Sequence, residues 1–402
     1  MPPKNPKALI GFLGTSNYEP LHYLLNGQTT PKSRLASRAL MKFFPDYEVV
    51  IVATKEARKQ NWAVVLEEFE YEPELLLIPT GGSEKEIWRI LKVLTEQFSS
   101  YQHLVLDITH GFRAQPLLAF SAAQLLYTLH HVRIDGIFYA ARRMQESSDS
   151  APIFDLAPLL DMVRWSEALS SLKKHGFAEG VADLLNAASK KAWSGNEEVR
   201  PRKLQTLGAA VTGLSTALAL NRPEEAAEHV LKLRSILPDA TRELRSQAPL
   251  APVAPLFQES LKRLSMLVPR RSRNPFGRPS RATLSSLAAM IRHDLGIGAY
   301  AQAITLSREA LVTRLCMEHN LDIFDDDARR AMEGQLNAWL HLKRAGSKLR
   351  PKEQSYVALW GRVVNIRNDI NHAGFKKQAS SGNSLAQRVA KLANEVADWL
   401  EH

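Results

Sequence analysis

Two short runs of this sequence concentrate side chains that could do chemistry. Between positions 107 and 113 stand Asp107, Thr109, His110, Gly111, Phe112 and Arg113, an acid, a hydroxyl, an imidazole, a glycine and a guanidinium within seven residues. That density suits a loop holding an anionic, nucleotide-like ligand by hydrogen bonds, with a guanidinium for phosphate. The second run, at positions 365–374, reads Asn-Ile-Arg-Asn-Asp-Ile-Asn-His-Ala-Gly and places Arg367 five residues before His372. An imidazole moves protons near neutral pH and a guanidinium stabilises developing negative charge. Arginine and histidine at this loose spacing recur in the chain, at Arg222 with His229 and at Arg314 with His319. Context separates them. Arg222 precedes Pro223 at a helix start, and His229 lies in an amphipathic helix with no evident partner. Arg314 and His319 flank an apolar Leu315, Cys316 and Met317, which reads as the edge of a core. Only Arg367 and His372 lie among further polar groups, Asn368, Asp369 and Asn371, and Asn368 shares a helical face with His372.

These groups need elements to position them. Apolar runs at 8–13, 49–53, 75–78, 104–108 and 134–140 read as buried strands, and 33–44, 57–69, 84–98 and 115–129 between them as helices. Alternation of this kind implies a parallel sheet covered on both faces, with a ligand beyond the carboxyl ends of the strands. The loops after three of those strands are polar. The first carries Gly14, Thr15, Ser16 and Asn17, the second Gly81 and Ser83, and the third is the run that ends at Arg113. Ser83 with Glu86 also reads as a helix-capping box. No Walker loop and no Gly-x-Gly-x-x-Gly follows strand one, so a nucleoside triphosphatase or a hydride-transfer enzyme has little support. From about residue 156 the pattern becomes helical, at 161–174, 177–193, 204–220, 223–237 and 256–267. A Pro- and Arg-rich stretch at 269–281 reads as a connector. Helical pattern then resumes at 283–319, 327–342, 354–372 and 384–400.

Composition narrows the class. Among 402 residues, 45% are hydrophobic and 23% charged, as in a globular protein. The single cysteine, Cys316, excludes a disulfide framework and suits a reducing, cytoplasmic compartment. No apolar run approaches the roughly 20 residues that cross a bilayer, and the run at 8–13 is too short for a signal-peptide core. The charge of +10 is uneven: residues 1–155 sum to −1 and the remainder to +11. A polyanionic partner would therefore meet the C-terminal part.

Three runs of the first domain resemble those of CRISPR-associated Rossmann-fold (CARF) domains. They are Gly14-Thr15-Ser16-Asn17-Tyr18, then Pro79-x-Gly81-x-Ser83-Glu84-x-Glu86-Ile87-Trp88, and most specifically Asp107-x-Thr109-His110-Gly111-Phe112-Arg113. Arg367-x4-His372, with Asn368 after the arginine, resembles the catalytic motif of HEPN ribonucleases, and the run from Tyr300 to Leu311 resembles their first long helix. The order of these features is similar to that of the CARF–HEPN effector ribonucleases of type III CRISPR systems. The resemblance implies an α/β plus all-α chain: a Rossmann-like CARF domain at 1–155, a helical linker region at 156–281 and a HEPN ribonuclease domain at 282–402. It implies binding of a cyclic oligoadenylate across a homodimer, tetra-adenylate ahead of hexa-adenylate. The ligand residues would be Gly14, Thr15, Ser16, Asn17, Gly81, Ser83, Asp107, Thr109, His110, Gly111, Phe112 and Arg113. It further implies cleavage of single-stranded RNA by Arg367, Asn368 and His372, with no cofactor and no metal, because RNA supplies its own 2′-OH nucleophile. Slow opening of the bound ring by the first domain would be a second activity. The alternative is a nucleotide-sensing regulator whose basic helical part binds nucleic acid without cutting it.

Overall fold

A computed structural model describes residues 6–112, 114–141, 149–194, 202–247, 250–269, 275–375 and 380–402. It divides into two compact units, Met1–Val163 and Arg164–His402. The fold class is the one expected, an α/β unit followed by an all-α unit.

Five strands of the first unit form a parallel sheet. These are β1 (Lys7–Leu13), β4 (Glu48–Ala53), β5 (Glu74–Leu77), β6 (His103–Asp107) and β7 (Arg133–Ala140). Strand β1 pairs with β4 and β6, so it lies at the centre, and six of its seven residues are buried. A near-continuous apolar run is what a strand covered on both faces requires. On one face α3 (Glu84–Phe98) and α4 (Gln115–His130) close a core around Ile10, Phe12, Leu94, Leu106 and Leu118. Each such side chain stabilises the fold by about 1.5–3 kcal/mol relative to exposure. On the other face, α2 (Lys55–Glu68) buries Ala57 and Val65 with Leu13 and Ile51.

The sheet is larger than the alternating pattern indicates. Residues Leu21–Leu25 (β2) and Gln28–Ser33 (β3) form a hairpin, and Ser150–Asp155 (β8) runs antiparallel to β7, giving the order β3-β2-β8-β7-β6-β1-β4-β5. The helix expected at 33–44 shrinks to α1 (Ala36–Leu40) because the hairpin takes its start. The hairpin turn is Asn26-Gly27, both at positive φ (51° and 78°), the conformation of a two-residue primed turn.

The second unit is helical throughout its described residues. Its first part comprises α5 (Pro158–His175, which begins in the first unit), α6 (Glu179–Ser194), α7 (Lys203–Ala219), α8 (Pro223–Ser246) and α9 (Ala254–Leu264). Helix α8 runs through Pro238, where the sequence pattern ends it; burial of Ala240, Thr241 and Leu244 beyond the proline offsets the missing N–H bond. The connector at 269–281 is in part packed: Phe276 is buried and the Thr283 hydroxyl bonds the Pro275 carbonyl, while 270–274 lie outside the described residues. The span 283–319 is two helices, α10 (Arg281–Gly296) and α11 (Tyr300–Glu318), broken where Gly298 adopts φ 77°. With α12 (Asp326–Arg344), α13 (Pro351–Asn371) and α14 (Gly382–Glu401) they form one bundle, α11 packing against α10, α12, α13 and α14. Trp360 of α13 is fully buried, its indole N–H donating to Asn337 Oδ1 at 2.9 Å.

Candidate functional site

The polar loops converge where the parallel sheet reasoning puts them. Gly14, Thr15, Ser16 and Asn17 after β1 and Thr109, His110, Gly111 and Phe112 after β6 wall one cavity of about 350 Å³, with Tyr18, Glu19, Leu21, Tyr23 and Arg34 completing it. That volume falls within the range of small-molecule sites.

Strand order explains the convergence, since β1 and β6 are neighbours and both loops leave their carboxyl ends. Gly14 lets the loops touch: a Cβ there would sit 2.7 Å from the His110 carbonyl oxygen. Its N–H donates to the Tyr18 hydroxyl at 2.7 Å, and burial pushes that phenol up to about 12. The Tyr18 ring tilts against His110 with centroids 4.4 Å apart. From α2, the buried Asn61 amide donates to the carbonyls of Gly14 and Ser16 at 2.8 and 2.9 Å, fixing the first loop from behind.

Asp107 is fully buried. Burial raises its pKa, against the lowering effects of His110 and of the Thr109 N–H, which donates to Oδ1 at 2.9 Å. Its other oxygen has no hydrogen-bond partner among the described residues. Burial lowers the His110 pKa and outweighs the opposing pull of Asp107, which favours the neutral imidazole. The Thr109 hydroxyl accepts the Ala140 N–H at 3.0 Å, and Gln115 Oε1 accepts the Phe112 N–H at 2.9 Å, so both ends of the loop are held. Arg113 lies outside the described residues.

Gly81 and Ser83 line a different place. Gly81 adopts φ 77° and Ser83 caps α3, its hydroxyl accepting the Glu86 N–H at 3.3 Å. The Glu86 carboxylate in turn accepts from Gly82 N–H and the Thr80 hydroxyl, both at 3.0 Å. The donors of that loop serve a helix cap. Neither residue walls the cavity.

The three arginine–histidine pairs of the helical unit have different fates. The His229 ring lies directly against Gly213 of α7, where a Cβ would fall 2.1 Å from it. It thus has a packing partner that its sequence context did not show. Arg314 stacks on Trp399 at 3.9 Å and pairs with Glu318 at 3.4 Å, while His319 is exposed at the end of α11. Arg367 is half-buried in the last turns of α13, and its guanidinium Nε is buried without a partner among the described residues. Other half-buried arginines of this bundle, Arg308, Arg314 and Arg329, each hold a carboxylate. His372 is the exposed C-cap of the same helix, its N–H donating to the Asn368 carbonyl at 3.0 Å. Asn368 is exposed and Asp369 buried. Ala373 follows at φ 50° and Gly374 at φ 75°, so the left-handed cap begins one residue before the glycine. Among the described residues no three His, Cys, Asp or Glu side chains group to hold a metal ion, and no helix is long and apolar enough to cross a membrane.

Arg34, Tyr18, Tyr23 and Asn61 were not among the expected ligand residues. Asn61 has a sequence signal, since Ala57, Asn61 and Val65 recur every four residues and set an amide on a buried stripe.

Residues 8–142 match the protein family described as CRISPR system endoribonuclease Csx1, CARF domain. The first unit is therefore a CARF domain. The chain is also similar to the CRISPR-associated protein MJ1674 of Methanocaldococcus jannaschii, 25% identical over 118 residues. That match takes in 29% of this chain and 19% of the relative, so the chain aligns with about a fifth of the relative's length. On these two findings the chain carries a CARF domain and is similar to CRISPR-associated proteins. The helical unit lies outside the matched residues.

Proposed function

We propose that this protein is a cyclic-oligoadenylate-activated, metal-independent endoribonuclease that cuts single-stranded RNA in type III CRISPR defence. The cavity at the carboxyl ends of β1 and β6 is the messenger site, with Gly14, Thr15, Ser16, Asn17, Thr109, His110, Gly111, Phe112 and Arg113 as its ligand residues. Arg367, Asn368 and His372 form the RNA-cutting site of a HEPN domain at 282–402, and 156–281 serve as its helical linker region. The observation that supports the nuclease reading is half-buried Arg367, whose buried Nε has no partner among the described residues, on the same helix end as an exposed His372. Among the described residues no carboxylate pairs with this guanidinium, in a bundle where Arg308, Arg314 and Arg329 each hold one, which suits it to an external anion. In this mechanism the RNA 2′-OH attacks the adjacent phosphorus and the 5′-oxygen leaves. His372 moves the proton, Arg367 stabilises the extra charge on phosphorus, and Asn368 orients the backbone from the same helix face.

A homodimer is part of the reading. Helix α4 carries no Asp, Glu, Lys or Arg along its 16 residues, yet Leu117, Tyr127 and Leu129 are exposed on it. Phe112 at the cavity rim is exposed too, as are Tyr139 and Phe154, paired across β7 and β8. An uncharged, half-exposed helix suits a face that another surface covers. In this reading one ring lies between two copies of the cavity, one from each protomer. Opening of that ring by the first domain would be slow, because His110 is the imidazole there and its half-buried ring is tilted against Tyr18.

The test is cleavage of a fluorescent RNA reporter in EDTA, with and without cyclic tetra- and hexa-adenylate. Cleavage that depends on a ring and survives EDTA is expected. Ring binding with no cleavage of any RNA would favour the regulator that binds nucleic acid without cutting it.

A further inference from the structure

A ligand strung with phosphates needs a fixed positive charge in its pocket. Among the described residues walling the cavity, Arg34 is the permanently charged base. Its guanidinium is already engaged. Nε donates to Glu68 Oε1 at 2.9 Å and Nη2 to Glu67 Oε2 at 2.7 Å, so two carboxylates face one cation. The two acids are not equivalent. The Glu68 side chain is only 14% exposed and also accepts the Ser33 hydroxyl at 2.6 Å, whereas the Glu67 side chain is 64% exposed. Glu68 holds the arginine in place. Glu67 occupies the edge that a phosphate would take.

We infer that Arg34 reads a ligand phosphate and that Glu67 is the anion this phosphate displaces. The inference rests on the cavity being a cyclic oligoadenylate site. Phosphate and carboxylate compete for the same planar fork, so binding exchanges one charged pair for another. A lone phosphate gains little from that exchange. A cyclic oligonucleotide that also bonds the loop at 14–17 gains those contacts in addition, so the pair sets both a concentration threshold and a bias against mononucleotides.

Calorimetry on the full chain, with cyclic tetra-adenylate, cyclic hexa-adenylate and AMP as probes, tests this. Glu67→Gln removes an exposed competitor and should tighten ring binding roughly two- to fivefold. Arg34→Ala should weaken it by about tenfold or more. Glu67→Gln added to Arg34→Ala should then change nothing further. Arg34→Lys should recover only part of the loss, since it keeps the charge without the fork. Wild-type ring binding with both Glu67→Gln and Arg34→Ala unaltered would overturn the inference and leave the pocket reading intact. Failure of the wild-type protein to bind either ring would overturn the pocket reading and this inference together. Should Arg34→Ala fail to fold in a thermal melt, the Glu67→Gln result decides alone, an unaltered affinity counting against the exchange.

Discussion

Asn61 is the residue whose replacement most cleanly separates the architecture of the proposed messenger pocket from its contacts. It is not one of the cavity's walls but holds the loop that is, donating to the carbonyls of Gly14 and Ser16 at 2.8 and 2.9 Å from a buried position on α2. Asn61→Ala deletes two hydrogen bonds, each with a net value of about 0.5–1.5 kcal/mol, for a combined loss of roughly 1–3 kcal/mol. Asn61→Asp conserves the shape but turns a donor into a carboxylate facing two carbonyl oxygens. It should therefore cost at least as much as the alanine at pH 7 and recover on acidification, as the carboxyl regains a proton to donate. Both variants release the loop bearing Thr15, Ser16 and Asn17, so affinity for cyclic tetra-adenylate should fall along with stability. Urea unfolding gives the first quantity and calorimetry the second. Stability within about 0.5 kcal/mol of wild type for both variants, with unaltered ring affinity, would refute the view that α2 fixes this loop.

Three further outcomes are expected. Ala373→Gly should stabilise the second unit: relief of left-handed strain at φ 50°, about 1–2 kcal/mol, exceeds the added chain entropy of about 0.4–1 kcal/mol, and a lower denaturation midpoint would contradict it. Burial raises Asp294 to about 8, so the folded state binds a proton that the unfolded state has released above pH 4. Stability should consequently fall as pH rises from about 4 to 8, by at most ~1.4 kcal/mol per unit, and Asp294→Asn should flatten that slope in urea titrations; an unchanged slope would exclude Asp294 as its source. Leu117→Arg adds charge to the exposed face of α4, so sedimentation should show a folded monomer with no ring-activated cleavage, and an intact dimer would move the interface elsewhere.

The parallel core was legible because β1, β4, β5, β6 and β7 are unbroken apolar runs separated by helical periodicity. The added strands were not. Strands β2 and β3 are short and partly exposed, with little apolar signal, although Asn26-Gly27 between them is a hairpin signature that the composition of the flanks obscured. Strand β8 carries Pro152 and two exposed residues at its end, which hid it. The polar loops that wall the cavity could be read because they are contiguous runs of polar residues. Arg34 and Asn61 could not be assigned in the same way, since one follows an unrecognised strand and the other lies inside a helix, and only the fold brings them to the loop at 14–17. For Arg367 and His372 the sequence supplied the pair and its polar neighbours. What it could not supply was the contrast between Arg367, whose Nε has no partner among the described residues, and Arg314, which is bound to Trp399 and Glu318.

The most direct test of the nuclease claim is ring-activated RNA cleavage by His372→Ala, measured in EDTA beside ring affinity by calorimetry on the same preparation. General acid–base catalysis is worth about 10²–10⁴-fold, so cleavage should drop by that factor while ring affinity holds at the wild-type value. Cleavage by His372→Ala at the wild-type rate would contradict the assignment of this helix end as the site of RNA chemistry.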